Sequence, residues 1–359
     1  MRNRYRAMLS AAAGVVTLAF ASSALAANTG TVAVWHTPQT LANSQSTTIH
    51  VKVPQDTNPI AAVNIYGPAG YTVNAAQAPG TQIGNVDATA FSRDNNLTLP
   101  LSGTVVTADP ASSASTSGSA QCTGVPKSEA VWIMNLSVAG NTLAIPVYVN
   151  PTAGPETALG ATKLSICLPP PDVPVGTPGR SFQGAQLLEA ILTVKNVFTT
   201  PTSGGLAKWE TLFTPYNPGV GTINRAGTFE ARAFVPLPIG FGVTAKYKSK
   251  KARTYVLSGK INEGGLPVSG LKLTVRRGTS PSKLAKVGTA TTTASGSYSS
   301  AGKLKVKKTT YFQVTGAVGE RDYTAAGCQS PLTPFAPAGC VSATLSPWSG
   351  KSVTVKLNK

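Results

Sequence analysis

The chemistry on offer in this 359-residue chain is cationic before it is anything else. In Lys303-Leu304-Lys305-Val306-Lys307 every second side chain is an amine, and Leu271-Lys272-Leu273-Thr274-Val275-Arg276 repeats the alternation. Successive side chains of a strand point to opposite faces, so each run sets aliphatics on one face and cations on the other. Lys260 takes the same outward parity against Leu257 and Ile261. Lys260, Lys272, Arg276, Lys303, Lys305 and Lys307 are thus expected on solvent-facing sides, and on one common face if their strands share a sheet. Such a face attracts polyanions through its long-range potential and by counterion release. The plainer reading is that outward lysines guard sheet edges against aggregation. That reading covers the alternation but not the shortage of acids, because solvated faces ordinarily mix both signs.

Other chemistries have less to work with. A nucleophilic triad needs a base oriented by a carboxylate, and the chain holds only His36 and His50, with no Gly-x-Ser-x-Gly turn. His50 lies between Ile49 and Val51 in an alternating run and is expected at an outward or edge position. A glycosidase needs two carboxyl groups facing one cleft. Asp56, Asp87, Asp94, Asp109 and Asp172 sit in turn-like stretches, which leaves Glu189 and Glu230 as the pair to inspect. The oxygen-rich turns at 55–58 and 93–96 resemble calcium ligands, yet Asp and Asn bond their own backbone in ordinary turns. No metal site, no cofactor and no enzymatic activity is expected. Trp132 shares parity with Met134 and Leu136 and is assigned to the core, whereas Trp348, in Ser-Pro-Trp-Ser-Gly, is the ring expected in the open. Aromatics are not interleaved with the lysines, which argues against specific nucleic-acid recognition.

These side chains must be positioned by a β-rich frame. Short apolar-alternating runs bounded by Pro, Gly or Asn recur from "TVAVWHT" onward, and Gly (35) and Pro (27) are abundant. The pattern predicts an all-β chain of sandwiches, with one or two of them in residues 27–240. "GAQLLEAILTVKNVF" begins as a helix would and ends as a strand would, and its β-branched end favours strand. The small polar stretch 109–126 is expected as a long loop or an interdomain linker.

Residues 1–26 read as an export signal: Arg2, Arg4 and Arg6, an apolar run from Ala7 to Phe20, then Ala24-Leu25-Ala26 for cleavage. No transmembrane segment is expected in the mature chain, and an exported chain should oxidise its four cysteines. Four cysteines allow three pairings, and the spacing suggests Cys122 with Cys167 and Cys328 with Cys340.

The net charge of +18 is unevenly spread. From Ala27 to Gly240, 9 basic side chains stand against 10 acidic ones, while from Phe241 to Lys359 the figures are 19 and 3. A basic linker, 241–253, leads into a second module at 254–359. There a strand ending Ser258-Gly259-Lys260, the turn Gly264-Gly265-Leu266-Pro267-Val268, the strand "LKLTV" and then "TTTASGSY" resemble the carboxypeptidase-regulatory-like, or transthyretin-like, β-sandwich of secreted bacterial and especially actinobacterial proteins. The likeness covers about residues 255–316 and implies an Ig-like fold but no activity. Where that family usually carries an acid before the final turn, this chain has Ala294. The first region resembles only secreted β-rich proteins, which implies no function.

The expected protein is therefore a non-catalytic, exported cell-surface or extracellular protein. Its basic module would associate non-covalently with an anionic cell-envelope polymer or lipid surface. A secreted carbohydrate-binding protein is the alternative, and a hydrolase with its site in the N-terminal region is the remote one.

Overall fold

The computed structural model describes residues 28–44, 46–138, 140–304, 308–323 and 342–358. The N-terminal region contributes β1 (Thr31–Thr37), β2 (Ser46–Lys52), β3 (Ile60–Gly67), β4 (Thr72–Val73), β5 (Gln82–Ser92) and β6 (Leu97–Ala108). The helix α1 (Ser113–Thr123) follows, and then β7 (Ala130–Val138), β8 (Asn141–Pro151), β9 (Thr162–Cys167) and β10 (Ala185–Lys195). β11 (Phe198–Thr199), β12 (Gly205–Pro215) and β13 (Phe229–Leu237) complete it. Next come β14 (Ile239–Phe241), β15 (Thr244–Ser249), β16 (Thr254–Glu263), β17 (Leu266–Pro267), β18 (Lys272–Ser280) and β19 (Lys283–Thr291). The last are β20 (Ser297–Lys303), β21 (Thr310–Val318), β22 (Arg321–Asp322), β23 (Ser342–Leu345), β24 (Trp348–Lys351) and β25 (Val355–Leu357).

The chain is all-β, and its N-terminal region is built on one long continuous sheet around one main core, with β4 and β11 paired as a separate two-stranded ribbon. The order of the long sheet is β1-β2-β10-β5-β6-β7-β8-β9-β3-β12-β13-β23-β22. The sheet curls back on itself, so that β1 lies against β13 and β23 and Val34 N donates to Ser346 Oγ at 3.2 Å. Curling lets alternate side chains of every strand share one interior, filled by Trp132, Trp209, Phe198, Phe213 and Leu237. The ambiguous run at 185–195 is strand β10, paired on both sides by β2 and β5, where its β-branched residues fit a pleated surface.

The serine-rich stretch is a correction. It is neither loop nor linker but helix α1, capped by Ser112, whose hydroxyl accepts from Ser115 N at 3.2 Å, and closed at Gly124 with φ 74°. Serines form helices weakly and α1 has no apolar stripe, so no periodicity announced it. It is held instead by tertiary bonds. Cys122 is disulfide-bonded to Cys167 on β9, as the spacing suggested, and Ser119 Oγ lies 2.7 Å from Ser128 Oγ.

The second module is a sandwich of two sheets, and the stretch expected as a linker, 241–253, is a correction: β15 (Thr244–Ser249) pairs with β16 and belongs to the sandwich. One sheet has the order β14-β16-β15 with β17 and β20 also on β16; the other is β19-β18-β21-β24 with β25 on β21. Leu257, Ile261, Leu273, Val275, Phe312, Val314 and Trp348 meet between them. Within residues 254–359, β22 and β23 leave this sandwich and extend the first sheet, β23 lying parallel to β13.

Candidate functional site

Register decides which cations share a face, because residues directly opposed in antiparallel strands point the same way. In the β19-β18-β21-β24 sheet, Leu273 and Val275 are buried, so Lys272, Thr274 and Arg276 face out. Thr289, Thr274, Thr315 and Lys351 form one row across that outer face. Lys286, Arg276 and Gln313 form the next, and Tyr311 opposes Lys356 beyond it. Lys272, Arg276, Lys286, Lys351 and Lys356 are all exposed, and among the described residues none has a carboxylate cross-strand partner.

Lys260 and Lys303 do not join them. They lie outward on β16 and β20 of the opposite sheet, in register with Ser297 and Thr254, where Lys246 is added from β15. The cations expected on one face therefore occupy both outer faces of the sandwich. Lys305 and Lys307 lie outside the described residues, as do residues 1–26, Cys328 and Cys340.

The three acids of the module are largely spent elsewhere. Glu263 is buried, accepting two bonds from Arg321 (3.2 and 2.7 Å) and one from Trp348 Nε1 at 2.6 Å. Glu320 lies 3.5 Å from Nδ1 of His50, whose Nε2 bonds Glu189 at 2.7 Å. Asp322 is on β22, against the first sheet.

Part of the threonine-rich face turns toward the N-terminal region. Lys272, Thr274, Thr315 and Lys351 line one wall of an open cleft of about 850 Å³, with Thr37, Pro38 and Thr40 opposite and no carboxylate in the lining. Lys351 was missed at the sequence level. Alternation in 351–357 hints at an outward lysine there, but only strand pairing sets it beside Lys272.

The carboxylates expected as a pair do not meet. Glu189, on β10, joins His50 and Lys52 and shares an open depression with Asp87. Its hydrogen bond with His50 holds its carboxyl below the ordinary range. Glu230 lies on β13 in a different cluster with Arg232 and Glu210, all three buried. Arg232 Nε donates to Glu210 at 2.7 Å, and Lys208 Nζ donates to the other Glu210 oxygen at 2.5 Å. Burial, and then the hydrogen bond and charge of Glu210, push Glu230 up to about 8. Burial also opposes ionisation of Glu210, but hydrogen bonds from Glu230, Lys208 and Arg232 hold it below the usual value. The pair thus keeps one proton between its two carboxyl groups near neutral pH. Nothing in the sequence separates these residues from solvated ones; burial on both faces of β12 and β13 does.

Trp348 is a further correction: it is 3% exposed, packed edge-on to Phe241 and bonded to Glu263. Its turn-like context misled because β24 pairs with β21 and turns the ring into the second core. Trp132 and Trp209 are buried too, and Trp35 is half-buried. His36 is buried, with Thr47 Oγ1 and Tyr71 Oη at 3.0 and 2.8 Å, and burial lowers it to about 4. Among the described residues no three His, Cys, Asp or Glu side chains gather as metal ligands.

No protein-family model matches this chain, and no curated protein does. Among solved structures it is similar to the full-length major pilin SpaD from Corynebacterium diphtheriae, at 11% identity and a TM-score of 0.25. The similarity covers 80% of this chain and 56% of the pilin chain, so this chain spans little more than half of that one.

Proposed function

We propose that this is a non-catalytic exported protein of the cell surface or extracellular space, whose basic module associates with anionic envelope polymers. The single observation behind this reading is the outer face that carries Lys272, Arg276, Lys286, Lys351 and Lys356 with no acid in its cross-strand rows. The row of threonine hydroxyls between those cations adds hydrogen-bond donors suited to phosphate or sugar oxygens. The Cys122–Cys167 bridge fits an oxidising compartment outside the cytoplasm. An anionic lipid surface offers the same charge attraction, but the module presents cations on two opposite faces, which suits a flexible polymer that wraps better than a flat membrane.

Binding of the full chain to immobilised polyphosphate, with a neutral glucan as control, tests this. Affinity should fall linearly on a log–log plot against salt, with a slope of roughly 0.7–0.9 per cation engaged. Binding that ignores salt, or equal binding to the glucan, removes the reading.

A further inference from the structure

The curled N-terminal sheet is not packed solid. A cavity of about 260 Å³ opens between its layers, rimmed by Asn141, Thr142 and Phe182. A second void of about 40 Å³ lies deeper and shares the walls Ala88, Leu136, Ile145 and Leu168 with the first. The two voids abut along that shared wall, the wider one opening at the rim and the narrower one bounded by Ile49 and Met134.

We propose that the two voids join into one tapering channel that binds a single linear alkyl chain, of the kind carried by a fatty acid or a monoacyl lipid, tail first. The inner walls are aliphatic and offer water no partners, so such a void stays dry and favours an apolar guest. The taper admits an unbranched flexible chain and leaves no room for a ring at its inner end. Of the polar groups in the wider void, Asn141 and Thr142 lie at the exposed rim, where a head group would sit, and the amide of buried Gln186 is already held by Arg93 and the Thr57 carbonyl. Ser181 lines this cavity, is 6% exposed, and its Oγ has no hydrogen-bond partner in the protein. A buried hydroxyl left unpaired is costly, and a carboxylate or ester oxygen at the rim would satisfy it. Phe182, 47% exposed, is a large apolar side chain at the mouth that a bound chain would cover.

Titration of the full chain with cis-parinaric acid, followed by displacement, tests the proposal. Saturable one-to-one binding is expected, with displacement by straight-chain acids tightening about fourfold per methylene until the channel is filled. Ala90→Phe, which fills the wide part of the channel, should lower affinity at least tenfold. Leu99→Trp narrows the entrance from a half-buried position and serves if the first variant does not fold. Displacement by tetradecanoate alone assigns the free acid, and displacement by monomeric lysophosphatidylcholine as well assigns the monoacyl chain in general; both support the site. Absence of saturable binding, no dependence on chain length, or folded channel-filled variants that bind like the parent overturn it. None of these outcomes depends on polyphosphate binding.

Discussion

Glu230→Gln should change how stability depends on pH while leaving the fold intact. Folded Glu230 gives up its proton near pH 8 instead of 4.5, and folded His36 accepts one only near pH 4 instead of 6.5. Between pH 4.5 and 8 the folded chain holds a Glu230 proton that the unfolded chain has released, so stability falls as pH rises through that window. Between pH 4 and 6.5 the unfolded chain holds a His36 proton that the folded chain lacks, so stability rises with pH there. Each slope approaches about 1.4 kcal/mol per pH unit. The two oppose each other from 4.5 to 6.5, leaving a near plateau, and Glu230 acts alone from 6.5 to 8. Over those 1.5 pH units the wild-type chain should lose about 2 kcal/mol. The other lowered carboxyl groups, those of Asp94, Glu189 and Glu210, titrate below this window. The amide introduced by Glu230→Gln keeps a donor toward Glu210 and cannot ionise. The variant should therefore lose the decline above pH 6.5 and expose the rise caused by His36 below it. Urea unfolding at half-unit steps from pH 4.5 to 8.5 measures both curves. A wild-type chain whose stability holds or rises from 6.5 to 8, or a variant that declines in parallel, refutes the argument.

Lys286→Glu sets an acid opposite Arg276 in place of a like charge. It should stabilise the fold by about 0.2–1 kcal/mol in the urea midpoint while weakening polyphosphate binding, a divergence that a purely structural lysine would not produce. Cys122→Ser with Cys167→Ser opens the bridge of sequence separation 45 and should cost about 4 kcal/mol at the same midpoint; a loss below about 1 kcal/mol would mean the tether between α1 and β9 is dispensable.

Much of this molecule is local in origin and so was legible in the chain. Strand alternation placed Leu273 and Val275 inward and Lys272 and Arg276 outward, because a pleated strand sorts its side chains without help from neighbours. The charge asymmetry was a matter of counting, and the Cys122–Cys167 pairing matched the spacing. What stayed hidden depends on which strand lies beside which. Lys260 and Lys272 have the same outward parity, yet β16 and β18 belong to different sheets, so no face unites them. Trp348 reads as a turn residue until β21 accepts β24 and carries its ring into the core. Glu210 and Glu230 look like ordinary strand carboxylates until β12 and β13, covered on both faces, remove them from water and force a proton to remain. The apolar channel exists only because the curled sheet encloses its own interior. β-Structure, outward cations and the imbalance of charge follow from period and composition, which need no knowledge of neighbours. What is buried and which groups meet come from the pairing of distant segments, because burial and proximity are properties of the folded whole.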